Sequence, residues 1–250
     1  MLSNNKIKYL NTLQVKKSRQ KYKNFIAEGD KIGSEIINNS SLVLEEIFTT
    51  REWLQNHKHE IEQYKDCITE VTDAELKKIS ALSTPNQVLI VAKQQEFEID
   101  PELLKKELVL YLDGIQDPGN MGTLLRIADW FGIPYVFCSD TCVDVYNPKV
   151  IQATMGAFLR VKTKEVSLTE IITENIPVYG ALLDGENIFD QNLSNHGIIV
   201  IGNEGNGISS ENLEKINHPI RIPAFAKGAE SLNAAVATGI ICALFRNQKQ

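Results

Sequence analysis

Three polar, glycine-rich segments hold the side chains of this 250-residue chain best suited to chemistry: residues 113–126, 201–208 and 222–237. In the first, Asn120 and Gly122 precede Arg126 in the pattern Asn-x-Gly-x-x-x-Arg. A guanidinium there can hold an anion or stabilise charge developing on an oxygen; it can also be half of a surface ion pair. Asn120 offers an amide to a site and, equally, a helix cap. In the second segment, Gly202-Asn203-Glu204-Gly205-x-Gly207 sets one carboxylate among glycines. Glu204 can act on a ligand or simply favour the dipole of the following helix. In the third, Ser231 and Asn233 present a hydroxyl and an amide ahead of the last helix. Capping accounts readily for one of them, not both. Glycines at strand ends let backbone approach a ligand closely, and three such segments converging on one crevice imply a binding site.

Other chemistries fit poorly. Gly202, Gly205 and Gly207 read G-x-x-G-x-G, the reverse of the dinucleotide fingerprint, and the acidic residue required about 20 positions on is replaced by Ile222. No Gly-Lys-Ser/Thr follows, which excludes a Walker A loop. His57, His59, His196 and His218 lack metal-ligand spacing, and Cys138 and Cys142 have no second pair to complete a zinc site. Cys67, Cys138, Cys142 and Cys242 are expected to be buried free thiols, with no metal bound.

The elements that must position these segments alternate along the chain. A basic helix is expected over Ile7–Lys21, then a strand (Phe25–Ala27), a helix (Lys31–Ile37), a strand (Val43–Phe48), a helix (Arg51–His57) and a strand (Cys67–Val71). Thr72 should cap a helix ending near Leu82, before a strand at Val88–Val91. These residues, 1–94, form a first α/β domain. Residues 95–106, charged and carrying Pro101, read as a linker to a second domain, 107–250. There the expected strands are Leu108–Leu112, Tyr135–Cys138, Phe158–Val161, Val178–Leu183, Ile198–Gly202 and Ile220–Ile222. The helices are Thr123–Phe131, Asn147–Met155, Leu168–Glu174, Ser210–Ile216 and Leu232–Phe245. Strands separated by single helices imply an α/β fold with a mostly parallel sheet and ligands at the strands' carboxyl ends.

Hydrophobic content of 43% with 23% charged residues is ordinary for a globular protein. Residues 1–10 lack an apolar signal-peptide core, and the most apolar window, residues 234–245, is too short to span a bilayer. The expected location is the cytoplasm. The net charge of −6 is unevenly spread: residues 1–23 carry seven basic and no acidic side chains, leaving −13 on the rest. A basic arm on an acidic body can contact a polyanion, or can be a solvated helix face.

Taken in order, Asn120-x-Gly-x-x-x-Arg126, Gly202-Asn-Glu204-Gly205-x-Gly207, Ile222-Pro223, and Ser231-Leu232-Asn233 ahead of Ala237-Thr238-Gly239 resemble the motifs of the SpoU/TrmH methyltransferases of the SPOUT class, over about residues 107–248. The stretch from Lys17-Ser-Arg19 to Phe25-Ile-Ala-Glu-Gly29 is similar to the small, ribosomal-protein-like α/β domain of several members. The resemblance implies a C-terminal trefoil knot holding S-adenosylmethionine, with Gly202, Ile222, Leu232, Leu182 and Gly207 at cofactor positions. It implies a homodimer with the catalytic pocket near the subunit interface, and RNA as the substrate of 2′-O-ribose methylation. Arg126, Asn120, Glu204, Ser231 and Asn233 then become the catalytic set, and Lys16, Lys17, Arg19 and Lys21 the expected RNA contacts. By analogy ribosomal RNA is favoured. Transfer RNA, methylation of a base, and a member that grips RNA without catalysis are the alternatives.

Overall fold

The computed structural model describes residues 2–39, 42–226, 228 and 231–247. The chain forms two compact units, Met1–Glu96 with Asp144–Leu159, and Phe97–Val143 with Arg160–Gln250.

The first unit opens with α1 (Asn4–Thr12) and α2 (Lys16–Tyr22), followed by β1 (Asn24–Glu28), α3 (Asp30–Ile37), β2 (Leu44–Thr49), α4 (Arg51–Asn56), β3 (Ile68–Glu70), α5 (Asp73–Ile79) and β4 (Val88–Lys93). The sheet order is β1-β4-β2-β3, with β4 antiparallel to β1 and β2, and β2 parallel to β3. The unbroken apolar run Val88–Ala92 is explained by burial on both faces: Val88, Ile90 and Ala92 join one core with Ile36 and Trp53, while Leu89 and Val91 join another with Leu10, Leu13, Leu76 and Ile79. Thr72 caps α5 in a capping box with Glu75. The single helix expected over Ile7–Lys21 is in fact two. The chain breaks between them at Val15, which turns to extended backbone (φ −101°, ψ 131°), while Leu10 and Leu13 both lie in the core. The Leu13 carbonyl left open there accepts a hydrogen bond from Arg19 Nη1 at 2.8 Å.

The second unit contains α6 (Pro101–Leu104), β5 (Leu108–Leu112), α7 (Pro118–Trp130) and β6 (Tyr135–Cys138). The chain then leaves it for α8 (Pro148–Thr154) and a 3₁₀ turn at Ala157–Leu159, returning as β7 (Lys162–Glu165), α9 (Leu168–Ile171), β8 (Val178–Asn187), β9 (Gly197–Ile201), α10 (Ser210–Leu213), β10 (His218–Arg221) and α11 (Ala234–Arg246). All six strands are parallel, in the order β10-β8-β9-β5-β6-β7.

Within the span 107–250, Asp144–Leu159 packs with the first unit, where Ile151, Phe158 and Leu159 bury in its core. For the same reason Phe158–Val161 is not a strand: its apolar residues serve that core, and the sheet's edge strand is the polar β7. β8 outlasts its expected end and jumps in register, with Pro219 opposite Gly180 but Ile220 opposite Glu186.

Candidate active site

β5 and β9 are neighbours in the middle of the second sheet, so the loops after Leu112 and Ile201 emerge side by side. Buried side chains lock these loops together. Asp113, the residue after β5, accepts hydrogen bonds from the Ser209 backbone N–H (2.8 Å) and hydroxyl (2.7 Å). Asn203 donates from Nδ2 to the Gly114 carbonyl at 2.8 Å, while its Oδ1 accepts from the Gly205 and Asn206 N–H groups at 2.8 and 3.0 Å. Its backbone also exchanges two 2.9 Å hydrogen bonds with Gly207. Gly202 must be glycine: a Cβ there would fall 2.3 Å from the Gly207 carbonyl carbon. Asp113 and Asn203 were not singled out from sequence, although both lie inside the glycine-rich segments.

The helices bring the remaining groups. α7 starts five residues earlier than expected, at Pro118, with Asp117 as its cap accepting from the Asn120 N–H at 2.7 Å. An Asp-Pro pair is a start signal visible in sequence. It relieves Asn120 of the capping role and frees its side chain. Asn233 caps α11, its Oδ1 accepting from the Ala235 and Val236 N–H groups at 3.0 and 3.3 Å. Asn233 Nδ2 then donates to Asn120 Oδ1 at 3.0 Å, and Asn120 Nδ2 donates to Glu204 Oε1. One residue from each glycine-rich segment thus joins a single hydrogen-bonded chain ending on a carboxylate.

The other expected site residues stand apart from that chain. Arg126 is exposed on α7 and makes no hydrogen bond or ion pair among the described residues. It follows Asn120 by six residues, about 9 Å along the helix axis and roughly 120° around it. Ser231 is exposed, two residues before the α11 cap. Gly202, Leu182 and Ile222 lie at or just beyond paired stretches of three adjacent strands, β9, β8 and β10. Leu182 and Ile222 are half-buried and Leu232 is 47% exposed, and Gly207 stands at φ +68°. Lys227 falls outside the described residues.

Among the basic residues, Lys17 and Lys21 are exposed and Lys16 is half-buried. Arg19 is not available to a ligand. Its guanidinium is 2% exposed and lies 2.6 Å from the Asp144 carboxylate. A buried arginine needs such a counter-ion, and here that partner is far away in sequence.

Beneath the first loop, the buried Cys142 thiol is lowered to about 7, chiefly by a hydrogen bond from Cys138. Burial opposes the shift; the Ser139 hydroxyl and the Ile115 and Gly114 N–H groups assist it. Donating that bond and being buried push Cys138 well up. All four cysteines are free. Among the described residues no three His, Cys, Asp or Glu side chains are placed to hold a metal ion, and no helix is long and apolar enough to cross a membrane.

Comparison with known proteins gives concordant matches to both parts of the chain. Residues 107–243 match the SpoU rRNA Methylase family, and residues 4–90 match the MRM3-like substrate binding domain. The chain is 30% identical over 243 residues to the Bacillus subtilis 23S rRNA (guanosine(2553)-2′-O)-methyltransferase RlmP, covering 95% of this chain and 94% of that protein. Among solved structures, a putative RNA methyltransferase of the TrmH family from Porphyromonas gingivalis superposes with a TM-score of 0.87 at 37% identity, covering 100% of both chains. An AdoMet-bound rRNA methyltransferase from Sinorhizobium meliloti shares the fold, with a TM-score of 0.86 at 24% identity over 98% of this chain and 95% of that one.

Proposed function

The chain belongs to the SpoU rRNA methylase family, and from that membership we infer that it transfers a methyl group from S-adenosylmethionine to a ribose 2′-hydroxyl of RNA, ribosomal RNA in preference to transfer RNA. The observation that carries this is the chain Asn233–Asn120–Glu204, which draws the three glycine-rich segments into one polar centre at the carboxyl ends of β5 and β9. Ligands of open parallel sheets bind at those ends.

The residues fit the cofactor. Leu182, Ile222 and Leu232 offer apolar surface for a purine ring beside backbone that can read its polar edge, and the glycines at 202 and 207 keep side chains out of the way. When bound, the cofactor supplies an electrophilic methyl group. The reading includes the trefoil knot, formed by the C-terminal part of the chain, as the cofactor's seat. Arg126, exposed and unpaired among the described residues, is suited to an RNA phosphate beside the reacting ribose, where it would position the hydroxyl and stabilise charge on its oxygen. Its separation from the asparagine–glutamate chain is consistent with a homodimer in which it serves at a subunit interface. Trp130, one turn further along α7, is 84% exposed, and Val236 on the neighbouring α11 is 53% exposed. These apolar groups suit an interface. The first unit is assigned RNA binding through Lys16, Lys17 and Lys21, and the enzyme is assigned to the cytoplasm.

The direct test is methyl transfer from labelled S-adenosylmethionine to ribosomal RNA, with 2′-O-methyl sites mapped in total RNA from cells with and without the gene. A ribose methylation lost with the gene and restored in vitro is the expected result. Methylation of a base, or cofactor and RNA binding without transfer, would replace this function with one of its alternatives.

A further inference from the structure

The direction of the hydrogen bonds in the site assigns a task to Glu204. An asparagine amide has one accepting and one donating end. The first N–H groups of α11 require the oxygen of Asn233 to face the helix, so its Nδ2 must face away. That group donates to Asn120 Oδ1, which turns Asn120 Nδ2 toward Glu204. Every donor points the same way, from the helix N-terminus through two amides to one carboxylate oxygen. The chain thereby holds the Glu204 carboxyl group in one orientation. Its other oxygen, Oε2, has no partner among the described residues.

Ribose methylation releases a proton, and something must take it. Arg126 is unsuited, since a guanidinium keeps its charge. The Asp113 carboxylate is buried and satisfied by Ser209. Asp117 caps α7 and accepts the Asn120 N–H. Glu204 is exposed, oriented and has an oxygen to spare. We propose that Glu204 Oε2 accepts the 2′-hydroxyl proton, with Asn120 and Asn233 as positioning residues; this rests on the ribose-methylation reading above. As the ribose oxygen bonds to the methyl carbon, the bond from that carbon to sulfur breaks, and its electron pair leaves with the sulfur. The hydroxyl proton goes to the Glu204 carboxylate and from there to water.

Two experiments test this on the full-length protein. In the first, Glu204→Gln preserves shape but lowers basicity. It should cut turnover more than a hundredfold while cofactor affinity stays within about twofold. Formate or acetate should restore part of the activity of Glu204→Ala, the more basic carboxylate more effectively. Asp117→Asn is the comparator: its activity, whatever the level, should not respond to added carboxylate. The second experiment measures binding without cofactor. Its probe is an RNA fragment spanning the mapped nucleotide, carrying either ribose or 2′-deoxyribose at that position. Wild type should prefer ribose, and Glu204→Ala should bind the two alike. Turnover above a tenth of wild type in Glu204→Gln, rescue of Asp117→Asn in place of Glu204→Ala, or an undiminished ribose preference in Glu204→Ala would each overturn the assignment. If wild type methylates no ribose at all, the functional reading fails first, and the two failures are told apart.

Discussion

Arg126 and Glu204 divide the site's charges, and their different surroundings predict different mutant phenotypes. Among the described residues, Arg126 makes no hydrogen bond or ion pair with the groups assigned to the cofactor. Arg126→Ala should therefore abolish methyl transfer and leave cofactor affinity nearly unchanged. Losing a charge-stabilising group costs about 3 kcal/mol, more than a hundredfold in rate. Single-turnover kinetics beside calorimetric cofactor titration would check it, and a tenth of wild-type turnover is too much for the assigned role. Gly202→Ala should show the reverse order of damage. Its new Cβ meets backbone at 2.3 Å, which cannot move aside as a side chain could, so the turn must open and cofactor binding should fall at least tenfold before any effect on RNA binding. Beneath the loop, Cys142 should ionise near pH 7, seen as thiolate absorbance in a pH titration. Because the Cys138 hydrogen bond is the largest cause, Cys138→Ala should move that step to higher pH. A group with a lowered folded pKa stabilises the fold above its unfolded value, so this contribution is present at alkaline pH and lost as pH falls through about 7.

At the scale of elements, α2 separates two kinds of basic residue that composition treats alike. Replacing Lys16, Lys17 and Lys21 by alanine should flatten the plot of log K for RNA against log salt by roughly 2 to 3 units, at about 0.7 to 0.9 per phosphate contact. Arg19→Ala should leave that slope unchanged and destabilise the protein by about 3 to 5 kcal/mol, because Asp144 then loses its buried partner. Chemical denaturation and salt-dependent binding would distinguish the two variants. The sequence could not separate Arg19 from its neighbours, since a helical pattern says nothing about a carboxylate 125 residues away. Distance in sequence also hid the bonds from Asn120 to Glu204 and Asn233, which lie 84 and 113 residues off. What is legible is local: the strands β5 and β6, read from apolar runs, and the helix cap at Thr72. β7 gives no such signal because its Lys-Thr-Lys-Glu is polar, and α7 starts ahead of the expected Thr123 because Asp117 caps it and Pro118 opens it.

For the whole molecule, the homodimer assignment predicts a species of twice the chain mass in light scattering at micromolar concentration. Trp130→Glu should weaken it, since a charge would replace an exposed aromatic. A stable monomer would remove the interface and require another explanation for Arg126's separation from the polar centre. The excursion Asp144–Leu159 has a separate consequence for how the protein is made. Residues 1–96 lack Ile151, Phe158 and Leu159 from their core and the counter-ion of Arg19. A ribosome that has released the first unit's main segment must still add some sixty residues before that unit can close, a delay of several seconds at about 5–20 residues per second. During that interval the nascent chain exposes an unfinished hydrophobic face, while β5 and β6 emerge beside it without most of their sheet. The first unit is therefore expected to be completed late, and a fragment ending at Glu96 should unfold without a cooperative transition.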